Sequence, residues 1–278
     1  LSLPNIISIL VIDKLINYYK LDKIIIVYKS SLYNEPINFY FENILQNMKF
    51  DFEVFVHSWW DNKSNQNTFK KILYDGREDE VSEIVDNDWI GKLYGSFNVN
   101  KVLIEKQKHF DIPEVFEKRK LKFTHTFGVY SSLYSVYRCN KLKRNFELDN
   151  GFTYDWVIRT RPDFGLSEPL TLDGLDESII YAPNDNSHNY GFSDQFAIGS
   201  SKNMDVYSGV FPIIENVIES HKSGIYTASY CDKPDNMGHE QIVQRHLENS
   251  KIKFELLDLK NFLFRDEDKR TRIHSIED

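Results

Sequence analysis

With 278 residues, the chain is long enough to bury a sizeable core as one large domain or two small ones. Its formal charge of −8 comes without an extended Lys/Arg run, so it lacks the electrostatic footprint of a duplex-binding protein and no nucleic acid partner is expected. The two cysteines, Cys139 and Cys231, have no CxxC or metal-ligand spacing; neither a disulfide framework nor a zinc site is indicated, and a reducing compartment fits best.

The chain opens on an apolar run from Ile6 to Ile12, interrupted by Asp13 and Lys14. That run is too short to span a bilayer and lacks the basic flank and cleavage site of a secretory signal. The expectation is an amphipathic helix over residues 1–22 that packs on the body, with no transmembrane segment; an upstream segment or domain is left open. KIIIVY (Lys23 to Tyr28) is a continuous apolar run, as in a strand covered on both faces. Pro36 suits a helix start, and Phe39, Ile44, Leu45 and Met48 follow at roughly helical spacing. FEVFVH (Phe52 to His57) reads as a second strand, so the three elements make a parallel βαβ unit. KVLIEK (Lys101 to Lys106) reads as a third.

From Thr124 to about Arg144, an aromatic stripe of Phe127, Tyr130, Tyr134 and Tyr137 fits the core face of a helix. It leads into DWVIRTRPDF, Asp155 to Phe164. Strand residues alternate faces, so Val157, Arg159, Arg161 and Asp163 share one side. Pro162 cannot donate to a ladder, so pairing should stop there and leave Asp163 at the mouth of the sheet. Ligands of open α/β sheets bind at the carboxyl ends of strands; an acid there can hold a divalent cation, and arginines can grip phosphate oxygens in bidentate fashion. The spacing alone equally fits a salt bridge that caps the strand.

Further on, SIIYAP (Ser178 to Pro183) and DQFAIG (Asp194 to Gly199) read as short strands, residues 201–219 and 238–249 as helices, and KFELLD and FLFR as closing strands. No linker or repeat divides the chain, so a single α/β domain over 23–278 is expected, with a mixed, mainly parallel sheet flanked by helices. GxxxxGK[ST], GxGxxG and GxSxG are absent. HEQIVQRH is not a zinc-protease motif, because the position of its second histidine holds Val243. The DxD triplets at Asp86 to Asp88 and Asp266 to Asp268 do not end apolar strands and read as solvated acidic patches. His188 and His239 are candidates to complete a metal shell but equally fit ordinary polar positions. Arg265 reads as a surface charge.

VFVHSWWD (Val54 to Asp61), YDWVIRTRPDF, SDQFAIGSSKNMDVYS (Ser193 to Ser208) and GHEQIVQRHL (Gly238 to Leu247) together resemble bacterial and viral sugar transferases of the capsule and lipopolysaccharide type, with the A-type glycosyltransferase (GT-A, Rossmann-like) fold. The four segments occur in that family's order. The resemblance implies a cytoplasmic enzyme, able to work peripherally at a membrane, that moves a sugar from a nucleotide-sugar donor to a glycan or lipid-linked acceptor with the help of Mn²⁺ or Mg²⁺. The metal ligand would be Asp163, which offers one carboxylate where the family has a full DxD. Lys29 would supply the charge of a first-strand loop that lacks the family's glycine and arginine. Donor contacts would come from Lys29, His57, Trp59, Arg159 and Arg161.

Glycosyl transfer must stabilise a leaving diphosphate and, in an inverting enzyme, deprotonate the acceptor hydroxyl. Asp194 suits the second task, or equally caps its local turn. Glu240, in the first turn of a helix where the dipole favours an anion, suits acceptor hydroxyls. His57, Trp59 and Trp60 end the second strand and equally fit packing. A non-catalytic nucleotide- or glycan-binding module of the same fold, and a nucleotide-sugar hydrolase or nucleotidyltransferase, remain alternatives.

Overall fold

The computed structural model describes residues 23–30, 51–60, 99–106, 108–111, 113–115, 126–161, 164–184, 192–220, 238–263 and 272–274. Several expectations lie outside these residues: the N-terminal helix, the helix after Pro36, Asp163, His188, Cys231, Arg265 and both DxD triplets.

Seven strands form one sheet. They are β1 (Lys23–Ser30), β2 (Asp51–Trp60), β3 (Val99–Lys106), β4 (Trp156–Thr160), β6 (Ile179–Pro183), β7 (Phe196–Ser200) and β8 (Lys253–Leu257), in the order β3-β2-β1-β4-β7-β6-β8. All pairs are parallel except those of β7 with β4 and with β6. A second sheet joins β5 (Phe164–Leu166), β9 (Asn261–Leu263) and β10 (Arg272–His274). Among the described residues, the helices α1 (Thr126–Asn150), α2 (Ser201–Ser208), α3 (Ile214–Glu219) and α4 (His239–Asn249) accompany them. This is the α/β class with a mixed, mainly parallel sheet and flanking helices that the sequence leads one to expect.

Both faces of the central strands are covered: β4 and β6 are buried at every position and are largely apolar, apart from Arg159 and Thr160 in β4. On one face Phe55, Val157, Ile180, Ala182 and Ala197 meet Leu133, Val136 and Cys139 of α1, Met204 and Tyr207 of α2, and Ile242, Val243 and Leu247 of α4. Each large apolar side chain fully buried in this way contributes roughly 1.5–3 kcal/mol. The aromatic stripe of α1 is part of this core, with Tyr130 and Tyr134 buried. α1 ends where Gly151 turns left-handed at φ +67°, so that Phe152 N–H reaches Glu147 O at 3.2 Å; glycine adopts this conformation without Cβ strain.

Two expectations need correction. The helix over residues 201–219 is broken into α2, a 3-10 turn at Phe211–Ile213 and α3. Gly209 ends α2, and Pro212, which has no N–H to bond the preceding turn, prevents continuation. FLFR is not a closing strand of the main sheet, since β9 pairs with β5 and β10 instead.

The topology sets where a ligand can bind. From β1 the chain crosses to β2 and β3 on one side, then returns to β4 on the other. The carboxyl ends of β1 and β4 therefore flank a topological switch point, where open α/β sheets bind ligands.

Candidate functional site

Arg159 and Arg161 stand at that switch point. Arg159 is in register with Val27 of β1 and Ala197 of β7 and shares the face of Val157, beneath the helices. Its side chain is 1 % exposed, and Nε, Nη1 and Nη2 have no hydrogen-bond partner among the described residues. Guanidinium stays charged at any ordinary pH, so burying it without acceptors is costly unless anions stand close by. Tyr207 and Glu240 are near enough to feel its charge. One pleat further on, the strand pairing ends as Pro162 leads one to expect: Arg161 N–H donates to Gln195 O at 3.1 Å, and Phe164 N–H turns back to Arg161 O at 3.1 Å.

Two carboxylates from different elements converge on these arginines. Asp194, in the turn before β7, lies 3.9 Å from Arg161 Nη1 and 3.7 Å from His239 Nδ1, with its side chain 13 % exposed. Both distances give Coulomb attraction rather than hydrogen bonds. The turn is held by Gln195 N–H donating to Ser193 Oγ at 3.2 Å and by Tyr207 O–H donating to Ser193 O at 3.5 Å. Phe192 N–H donates to Glu240 O at 3.3 Å and ties this loop to the start of α4.

Gly238 lies directly behind Glu240: a Cβ there would come within 2.9 Å of Glu240 Oε2, which would have to swing aside. Burial raises the Glu240 carboxyl and Asp194 raises it further, against its own backbone N–H, Arg161 and Arg159; its pKa is pushed up to about 7. Part of the residue retains surface, but the shift follows the enclosure of the carboxyl group itself. Burial likewise pushes the Tyr207 hydroxyl up, with Arg159 opposing.

The structure thus brings together Arg159, Arg161, Asp194 and Glu240, and adds His239 and Tyr207. His239, which the sequence offers as a metal ligand or an ordinary polar residue, flanks Asp194. Nothing in the sequence marked Tyr207. Lys29 is in register with His57 at the carboxyl end of β1. Among the described residues, no group of three or more His, Cys, Asp or Glu gathers as a metal site. The cations beside Asp194 and Glu240 make that pair a poor home for a divalent ion.

His57 and Trp59 are packing residues between β2 and α1. His57 is fully buried and bonds Glu105 through Nε2 at 3.1 Å, while the Trp59 ring stacks on Tyr134 at 5.2 Å. Burial lowers the His57 pKa to about 4, with Glu105 opposing. Glu105 is in turn raised by burial but held below the usual carboxylate range by bonds from His57, Lys108 and Tyr134 and by the Arg138 charge. Charge bonding and ring stacking occupy these side chains without a ligand.

Over residues 126–230 the chain matches a family described as a domain of unknown function, DUF7796. This span holds α1, both arginines and Asp194, but not Glu240. No curated protein matches the chain at a significant level. Among solved structures, the apo form of mouse xyloside xylosyltransferase 1 is similar over 86 % of this chain and 85 % of that one, with 12 % identity and a TM-score of 0.38; likeness at that level carries no argument about function. No helix among the described residues is long and apolar enough to cross a membrane. The fold and site define an α/β protein with a buried guanidinium, Arg159, and the acids Asp194 and Glu240 at its switch point.

Proposed function

We propose that the protein is a glycosyltransferase that moves a sugar from a nucleotide-sugar donor to a glycan or lipid-linked acceptor, as the capsule- and lipopolysaccharide-type resemblance suggests. The observation that carries this reading is Arg159, a buried guanidinium with no acceptor among the described residues, set at the switch point near Asp194 and Glu240. A diphosphate supplies the anion that Arg159 lacks. Arg159 meets its charge from below and Arg161, 20 % exposed, from the rim, while Lys29 completes the donor side from β1.

In the transfer step, the bond between the anomeric carbon and the diphosphate oxygen breaks and the acceptor oxygen bonds to that carbon. The hydroxyl proton passes to Asp194, and the leaving diphosphate keeps the electron pair against the arginines. Arg161 and His239 flank Asp194 at 3.9 and 3.7 Å. Glu240 binds acceptor hydroxyls. A base at Asp194 implies inversion at the anomeric carbon.

A divalent cation, Mn²⁺ or Mg²⁺, enters this reading through Asp163 alone, and would neutralise diphosphate charge there. Incubation with a panel of nucleotide sugars, with and without Mn²⁺, and analysis of the products tests the whole reading. Transfer should be found, with an inverted product. Asp194→Asn should slow it about 10²- to 10⁴-fold with donor affinity nearly unchanged, and Asp163→Asn should abolish the metal-dependent part. Full turnover in excess chelator removes the metal, and a retained configuration removes Asp194 as base. Nucleotide binding without hydrolysis or transfer over a broad acceptor set fits a non-catalytic module instead.

A further inference from the structure

The turn before β7 joins the elements of the site. Arg161 N–H, just past the end of β4, donates to Gln195 O at 3.1 Å, and Phe192 N–H donates to Glu240 O at the start of α4 at 3.3 Å. Asp194 sits between these two anchors. Ser193, 9 % exposed, closes the turn: its Oγ accepts the N–H of Gln195 at 3.2 Å, and its carbonyl accepts from Tyr207 O–H of α2 at 3.5 Å. A serine hydroxyl bonded to the N–H two residues on restricts the backbone of the residue it spans. That residue is Asp194. α2 is held in turn, because His246 Nε2–H donates to Val206 O at 2.7 Å and the Phe192 ring meets Tyr207 edge-on at 6.1 Å.

We infer that Ser193 is a positioning residue for glycosyl transfer, whose hydroxyl, backed by Tyr207, aims the Asp194 carboxylate at the acceptor hydroxyl. The inference rests on the reading of Asp194 as the group that takes the acceptor's proton. A base must come within hydrogen-bond reach of that proton, and a misplacement of about 1 Å can cost about 10²-fold in rate. Ser193 adds no charge of its own. Its hydrogen bonds go to the turn and to α2 rather than to Arg159 or Arg161, so losing them should spare the donor side.

The test compares kcat and the donor KM of wild type, Ser193→Ala, Tyr207→Phe and Asp194→Asn, and of Asp194→Asn combined with each of the other two, using the donor that wild type turns over. Ser193→Ala should lower kcat about 10- to 100-fold and Tyr207→Phe about threefold or more, with the donor KM within about twofold of wild type. In the Asp194→Asn background, either change should cost less than about twofold, because residues that act through Asp194 have nothing left to place. A merely structural role would lower the rate in both backgrounds. Tyr207→Phe keeps the inference testable if Ser193→Ala does not fold, since it removes a hydroxyl and leaves the ring packing. Wild-type kcat in either variant, a raised donor KM, or an undiminished penalty in the Asp194→Asn background overturns the inference and leaves the base reading standing. If Asp194→Asn itself transfers at the wild-type rate, or wild type transfers from no donor, that reading falls and the inference with it.

Discussion

Lys143 and Arg159 are both buried cations in one domain, yet their surroundings differ completely. Lys143, on α1, donates to Ser201 Oγ and to Asp205 Oδ1 at 2.8 Å and pairs with Glu147 Oε2 at 3.1 Å, so its charge is met by protein acceptors. Glu147 is bonded in turn by Ser201 Oγ at 2.6 Å and Tyr154 N–H at 3.0 Å. This network locks the end of α1 to the start of α2. The Arg159 guanidinium has no hydrogen-bond partner among the described residues. His57 lies between the two, with Nε2 bonded to Glu105 and Nδ1 buried without a partner. A charge with every bond made by the protein serves the fold; one with none made is set aside for something else.

This contrast predicts opposite responses to truncation. Lys143→Ala strands Glu147 and Asp205 beside a missing partner and should cost about 3–5 kcal/mol in urea unfolding. A loss below about 1 kcal/mol would mean that the network does not hold the fold.

His57 should show its half-satisfied state as acid lability. Its folded pKa, about 4, lies below its unfolded value, so the unfolded chain binds the extra proton. The stability that neutral His57 represents is complete above the unfolded pKa and is lost as pH falls towards 4, by about 3 kcal/mol in all. His246, also lowered by burial, acts in the same direction. Glu240 acts in the opposite one: its raised carboxyl contributes stability that is present below the unfolded carboxylate value and fades as pH rises towards 7. Glu240→Gln should therefore steepen the loss of stability on acidification, and His57→Gln should flatten it. An unchanged slope in both variants would contradict these assignments.

Arg159→Met removes a buried charge but no protein hydrogen bond. Its unfolding free energy should stay within about 1 kcal/mol of wild type or rise. A loss as large as that of Lys143→Ala would make Arg159 a structural cation and return the strand-end arginines to an ion-pair cluster.

Much of this fold was legible because apolar runs and helical periodicity are local signals. KIIIVY, FEVFVH, WVIRT and the stripe of Tyr130 and Tyr134 each carry their element's signature. β5 and β10 were missed because three-residue strands such as FGL and RIH hold too few residues to show a period, and only their pairing through β9 makes them a sheet. In the site, charge type and position at a strand end picked out Arg159, Arg161, Asp194 and Glu240. The sequence could not reveal that Arg159 is buried without an acceptor, that His239 flanks Asp194, or that Tyr207 closes the turn, since each depends on packing between distant segments. His57 and Trp59, which the sequence offers as donor contacts or as packing, pack against α1 through Glu105 and Tyr134.

The central claim is that Arg159 awaits the diphosphate of a nucleotide sugar. Its most direct test is a thermal-shift titration of wild type and Arg159→Met with uridine and guanosine diphosphates and their sugars, with and without Mn²⁺. At about 100 times its dissociation constant, a ligand of the folded state adds roughly 2.7 kcal/mol, enough to raise the melting temperature by several degrees. The account predicts such a rise with one nucleotide class in wild type, and its loss in Arg159→Met, whose unliganded melting temperature is no lower than that of wild type. No rise with any nucleotide, or an equal rise in the variant, would contradict it.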